Sequence, residues 1–427
     1  AGSDTAFNEY QNMFLNMGSR LQAGGNNVTI GNLVSDADNG ANNTLTIPAT
    51  GGIAHDGGAV GSRVHYAFLE NGSNTEGTVT IRQTGNHEFT GMIRNGFDPL
   101  SSAAPGELAG EINHSAETAT TEGAALNVIY AATDADVNLT LTERNRYTGT
   151  TEVQSGILQI GTGGDGSWSG GFGTSGNEIG STGTGVTTVT GGTLAGTGNV
   201  RGSLVLGGGV VTPGDTGGSG FDTLFVGDGA GNGDLTVTGG TLRFGVSQAL
   251  WNDANLNSGA TNFYQAGYDA AIKDGSTGLL ATFGASTAIN PSAFGASGEE
   301  YNLFFGDEHD HLEVSGNINW GAGSAGKVEV VFDGGYTAAA GDTFNFLDWF
   351  GLGTDDWTGF TDDEASAIVP NITQGGNFGD FILPTLAGDL RWDTRLWKSD
   401  GVLFVVIPEP SRVMFLGLSL AALALRR

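Results

Sequence analysis

The feature that most constrains the fold is a short segment that returns along the middle of the chain. Thr187-Thr188-Val189-Thr190-Gly191-Gly192-Thr193-Leu194 comes back as Leu235-Thr236-Val237-Thr238-Gly239-Gly240-Thr241-Leu242-Arg243-Phe244. A longer version runs from Tyr147 to Gly161, with Thr151-Glu152-Val153 and Ile157-Leu158-Gln159-Ile160 on either side of Gly156. Each unit reads as strand, glycine-containing corner, strand. A unit this small cannot bury its own apolar face. Stacking successive units buries Val, Leu and Ile in a continuous column and leaves Thr, Ser and Asn outside or in ladders. The expected fold is all-β: a parallel β-solenoid (β-helix) over residues 25–245.

Earlier segments fit the same scheme. Val28-Thr29-Ile30, Thr44 to Ile47, Val64 to Leu69, Thr78 to Ile81, Asn127 to Tyr130 and Val137 to Leu141 alternate like strands. Most are bounded by Gly/Asn/Asp clusters that supply turns. Before them, Phe7, Tyr10, Met13, Phe14, Met17 and Leu21 recur at spacings of three and four. That is one face of an amphipathic helix, stopped by Gly24-Gly25 and placed to cap an open sheet end over residues 1–24. Residues 246–310 break the strand pattern with partly helical texture, an insertion or linker. Strands return over residues 311–406 as a C-terminal β region.

The chain closes with Pro408-Glu409-Pro410-Ser411, an apolar run of 13 residues from Val413 to Leu425, and Arg426-Arg427. As a helix that run covers about 20 Å, short of the roughly 30 Å hydrocarbon core. It inserts, but it anchors poorly. The two arginines would stay on the cytoplasmic side and leave the rest of the chain outside. Pro408 and Pro410 keep the junction extended. Such a tail reads as a processing signal with a short C-terminal hydrophobic helix, inserted transiently.

Sixteen Lys and Arg against 46 Asp and Glu give a net charge of −30. Nucleic acid and anionic surfaces are excluded as partners, and divalent cations are attracted. Glycine, at 75 of 427 residues, follows no three-residue period, which excludes collagen. With no cysteine there is no disulfide, thiol catalysis or thiolate metal site. The sequence opens at Ala1 without a basic or apolar leader, so a secretory signal peptide is expected to have been removed or left out.

Two resemblances follow from these residues. Residues 138–161 resemble the autotransporter-associated β-strand repeat, patterned Tyr-Thr-Gly, Thr-Thr, Val, Gly, Thr-Leu, with Ile157 where that family usually has Thr. Val200 to Asp215 looks like the turn that commonly follows such repeats. The tail resembles the PEP-CTERM sorting signal of exported bacterial proteins. The stretch before it does too, through Asp310 to Gly316, Gly341 to Phe344, and Leu383-Pro384-Thr385-Leu386 on to Leu403. Together these cover roughly half the chain. The resemblance implies recognition of Pro408, Glu409, Pro410, Ser411, Arg426 and Arg427 by an exosortase-type membrane enzyme. It implies an exported, non-enzymatic structural protein of the cell surface or extracellular matrix, associated with exopolysaccharide or biofilm. Homo-oligomerisation or lateral self-association goes with that role. The alternative is a carbohydrate-binding adhesin or a β-helix polysaccharide-cleaving enzyme.

Candidate chemistry is sparse. In Asp307-Glu308-His309-Asp310-His311, an extended backbone points Asp307, His309 and His311 one way, towards a divalent metal. A solvated strand entry is the simpler reading. Gly217 to Phe225 fits a calcium nonapeptide with Asp222 as its ligand, but such β-rolls need several stacked copies and only an echo follows. Calcium is the one cofactor these acidic turns suggest. His55, His65, His87 and His114 are scattered, with no nucleophile elbow. No catalytic residue is assigned.

Overall fold

The computed structural model describes residues 12–15, 19–35, 44–46, 62–64, 67–96, 123–143, 145–161, 180–214, 223–227, 232–246, 309–333, 335–339, 342–363 and 371–407. The protein is all-β with long parallel sheets. Its chain divides into two compact units: Ala1–Phe244 with Asp310–Lys327 and Asp348–Phe360, and Gly245–His309 with Val328–Leu347 and Thr361–Arg427.

In the first unit one parallel ladder runs through Asn27–Ile30, Gly77–Ile81, Leu126–Ala131, Thr151–Ser155, Thr187–Val189, Leu204–Leu206, Leu235–Val237 and Ile318–Asn319. Its register aligns Ile30, Ile81, Tyr130, Val153, Val189, Leu206 and Val237 in a single column. Every member of the column is buried. Side chains that alternate with period two put each such residue over its neighbour, so van der Waals contact is continuous along the stack. A second ladder runs through His87–Phe89, Asn138–Leu141, Ile157–Ile160, Thr193–Gly196 and Val210–Pro213 to the strand beginning at Thr241. There Leu139, Leu158, Leu194, Val211 and Leu242 form the matching buried column.

The recurrent Gly-Gly sits at the corner between the two ladders. Gly156, Gly192, Gly209 and Gly240 all have φ between 66° and 77°. That left-handed region strains residues with a Cβ, and the stacked corners leave no room for one.

Asparagines hold the corners further round. The Asn145 Oδ1 accepts from the Ile93 N–H at 2.7 Å, and its Nδ2 donates to the Ser181 carbonyl at 2.6 Å. The Asn95 Oδ1 accepts from the N–H groups of Leu126 and Thr148. Asn71 Nδ2 donates to the carbonyls of Thr75, Ala124 and Ala125. A corner breaks the ladder, and each orphaned backbone group needs another partner. A third parallel set begins with Arg20–Gln22, Phe68–Glu70 and Met92–Arg94. There Glu70 is buried and accepts from Arg94 Nε and Gln22 Nε2, both at 2.7 Å, while Arg94 lies 3.9 Å over the Phe68 ring.

The described part of residues 1–24 corrects the expected cap helix. Met13–Phe14 and Arg20–Gln22 are strands, the first paired in parallel with Leu33–Val34 and the second with Phe68–Glu70, before a turn at Gly24. Leu15, Leu21 and Ala23 are buried whereas Phe14 is 63% exposed. Pairing with distant strands overrides the helical spacing of the apolar residues. Residues 247–308 and 408–427, and with them most of the expected insertion and the C-terminal helix, lie outside the described residues.

Two short strands, His311–Val314 and Ile318–Asn319, extend ladders of the first unit, where the sequence suggests a separate C-terminal region. The second unit is built mainly from antiparallel pairs. Thr343–Asn345, Val402–Val406, Arg391–Asp393 and Ile372–Thr373 form one sheet. The Phe381–Leu383 strand pairs in parallel with the strand carrying Val328 and antiparallel with Gly376–Phe378. A four-residue helix, Trp397–Asp400, ends at Gly401 with φ 67°. Phe344 stacks on Phe346 at 5.6 Å and packs against Trp392 at the same distance.

Candidate functional site

Polar side chains converge on one sheet of the first unit. Thr223–Val226 and His311–Val314 pair in parallel there, with Leu347–Trp349 next in order. Leu224, Val226, Leu312 and Val314 form one buried alternate set. Period-two alternation sends the intervening residues to the opposite face. Register sets Thr223 beside His311 and Phe225 beside Glu313. That second face is buried as well.

His311 is at its centre. Its Nε2 lies 3.2 Å from Asp348 Oδ2, and its Nδ1 lies 3.4 Å from Thr223 Oγ1. Glu313, two residues on, has its carboxyl pushed up to about 7 from an ordinary 4.5. Burial is the main cause, the Asp348 charge adds to it, and His311 opposes it. A carboxyl that titrates near neutrality beside an imidazole and a second carboxylate can hold and pass a proton. Hydroxyl, imidazole and carboxylate in that order also form the outline of an activated nucleophile. Yet Thr223, His311, Glu313 and Asp348 are each more than nine-tenths buried. The arrangement is a closed polar brace between three neighbouring strands.

The sequence-predicted ligands separate. Asp307 and Asp222 lie outside the described residues. His309 packs on aromatic rings of the second unit, 5.4 Å from Phe346 and 6.2 Å from Phe344. His311 faces Thr223 and Asp348 instead. Among the described residues no group of three or more His, Asp or Glu side chains is arranged to hold a metal ion. Asp362, which opens the acidic run Asp362-Asp363-Glu364, is engaged with Lys398 Nζ at 3.0 Å. The sorting-signal residues Pro408, Glu409, Pro410, Ser411, Arg426 and Arg427 lie outside the described residues. No helix among the described residues is long and apolar enough to cross a membrane.

Thr223 and Glu313 fall at variable positions of the motifs that contain them, and Asp348 belongs to none. Only the alternation of Leu312 and Val314 around Glu313 hints that Glu313 shares a face with His311. No family model, curated protein or solved structure matches the chain.

Proposed function

We propose that the chain is an exported structural protein of a bacterial surface or extracellular matrix, non-enzymatic and associated with exopolysaccharide. In this reading the ladders of the first unit are successive faces of one parallel β-solenoid. The supporting observation is the unbroken buried column from Ile30 to Val237, with its stacked glycine corner. Such a stack supplies length and hydrogen-bonded rigidity without disulfides. The −30 charge keeps the protein soluble and draws calcium to acidic turns, which would bridge neighbouring copies laterally. The tail from Pro408 directs export through an exosortase-type enzyme and a transient membrane intermediate, and is then removed.

Fractionation of the producing cells, with mass measurement of the exported protein, tests this reading. The expected species is extracellular or surface-bound and ends near Pro410. Protein confined to the cytoplasm would sink the reading, and an exported form that keeps Arg426-Arg427 would remove the processing step.

A further inference from the structure

We propose that Lys398 and Asn371 join through an amide bond between their side chains, with Asp362 moving the protons. This is a self-modification site in the second unit, and it stands apart from the function proposed above.

Local structure brings the three residues together. Ile372–Thr373 and Arg391–Asp393 pair antiparallel, with Ile372 opposite Asp393. That register puts Asn371 beside Thr394, whose N–H donates to the Asn371 carbonyl at 2.9 Å. The hydroxyl of fully buried Thr394 lies 2.9 Å from the Asp362 carbonyl oxygen and 3.3 Å from that of Asn371. One hydroxyl therefore clasps the backbone at both residues. The Thr394 carbonyl accepts from the Trp397 N–H, at the start of the short helix that carries Lys398.

Asp362 meets both of the other side chains. Lys398 Nζ lies 3.0 Å from Asp362 Oδ1, and Asn371 Nδ2 donates to Asp362 Oδ2 at 3.3 Å. An amine and a carboxamide thus share one carboxylate, one on each oxygen. Asn371 is also the single non-glycine residue with positive φ among the described residues, at 63°. Such a backbone is strained for a residue with a Cβ and persists only where its surroundings fix it. Here the two bonds from Thr394 fix it.

The chemistry balances without a co-reactant. Asp362 takes a proton from the Lys398 ammonium, and the freed amine attacks Asn371 Cγ. The Asp362 carboxyl gives that proton to Nδ2 as the Cγ–Nδ2 bond breaks. It then accepts a second proton from the attacking nitrogen. The products are an Nζ–Cγ amide and ammonia, which leaves with the last proton as ammonium. A carboxylate in contact with both nitrogens serves first as base and then as acid. Holding both reactants on one group replaces a chance encounter with a positioned one, which is worth many orders of magnitude in rate. In a chain without cysteine, the bond supplies the covalent loop closure that a disulfide gives elsewhere.

Mass spectrometry of tryptic digests of the full chain tests the proposal, on samples first shown by cooperative melting to be folded. Wild type should yield a branched peptide joining Lys398 to Asn371, lighter than its two parts by one ammonia, with no cleavage after Lys398. Asp362→Ala keeps both reactants, and the Thr394 bonds to backbone, but should lose the branched peptide. Lys398→Arg keeps the ion pair, and should lose the link and melt below wild type. Folded wild type that trypsin cleaves after Lys398, with Asn371 in a linear peptide, would overturn the proposal. So would a link from Lys398 to Asp362 with loss of water, because Asp362 would then be the electrophile. A branched peptide that survives in Asp362→Ala would overturn it as well, since the reaction would proceed without Asp362.

Discussion

A Cβ placed on Gly192 would lie 2.6 Å from the carbonyl oxygen of Gly156, one corner below it in the stack. The same holds one level on, where a Cβ on Gly209 would meet the Gly192 oxygen at 2.3 Å. The corner therefore tolerates glycine alone, for two separate reasons: the sign of φ and the neighbouring backbone.

Gly192→Ala and Gly388→Ala separate those reasons. Gly388 also has a positive φ, 60°, but nothing lies within 4 Å of its Cβ position. Gly388→Ala should therefore lose only the left-handed penalty, about 1–2 kcal/mol. Gly192→Ala adds a backbone clash and should lose at least about twice that. Urea denaturation of each variant, with the slope checked for constancy, gives the comparison.

Asn145 stands in for two missing ladder bonds. Asn145→Ala leaves the Ile93 N–H and the Ser181 carbonyl without that partner inside the protein. At about 1–3 kcal/mol per buried unsatisfied group, a loss of roughly 2–6 kcal/mol is expected. Hydrogen exchange should show the Ile93 amide losing its protection first.

The buried pair of Glu70 and Arg94 should be asymmetric under mutation. Glu70→Ala strands a guanidinium that bonds Glu70 Oε2 through Nε at 2.7 Å, and should cost about 3–5 kcal/mol. Replacing both, Glu70→Met with Arg94→Met, should cost less than Glu70→Ala alone. Equal or greater loss in the double variant would refute the account.

Glu313 should make stability fall as pH rises. Its carboxyl titrates at about 7 in the folded protein and near 4.5 when unfolded, so between those values the folded state holds the extra proton. Stability is full below about pH 4.5, declines through about pH 7, and is flat beyond, a total of about 3 kcal/mol. Asp393, raised by burial to about 6, adds a slope of the same sign at lower pH. Glu313→Gln should flatten the decline between pH 5 and 7 and melt above wild type at pH 8. An unchanged slope would show that Glu313 is not the group responsible.

The repeats made the ladders legible because Thr-Val-Thr-Gly-Gly-Thr-Leu carries its own period and its own corner. The start of the chain was misleading for a physical reason. Met13, Phe14 and Leu21 lie at helical spacing, and their strand partners, Leu33-Val34 and Leu69, are too far along the sequence for local pattern to reveal. The brace failed to show for the same reason. His311 looked like a ligand, but Thr223 is 88 residues before it and Asp348 is 37 after it. Only the parallel register brings them together.

The long ladder steps directly from Leu235–Val237 to Ile318–Asn319, although some eighty residues intervene in the chain. The Gly123 N–H likewise donates to the Gly96 carbonyl at 2.6 Å, joining backbone groups well separated in the sequence. Closure entropy grows only by about 0.6 kcal/mol for each doubling of loop length. Adding residues between two such partners should therefore cost little stability: register between strands, and not the length of chain that joins them, carries the frame.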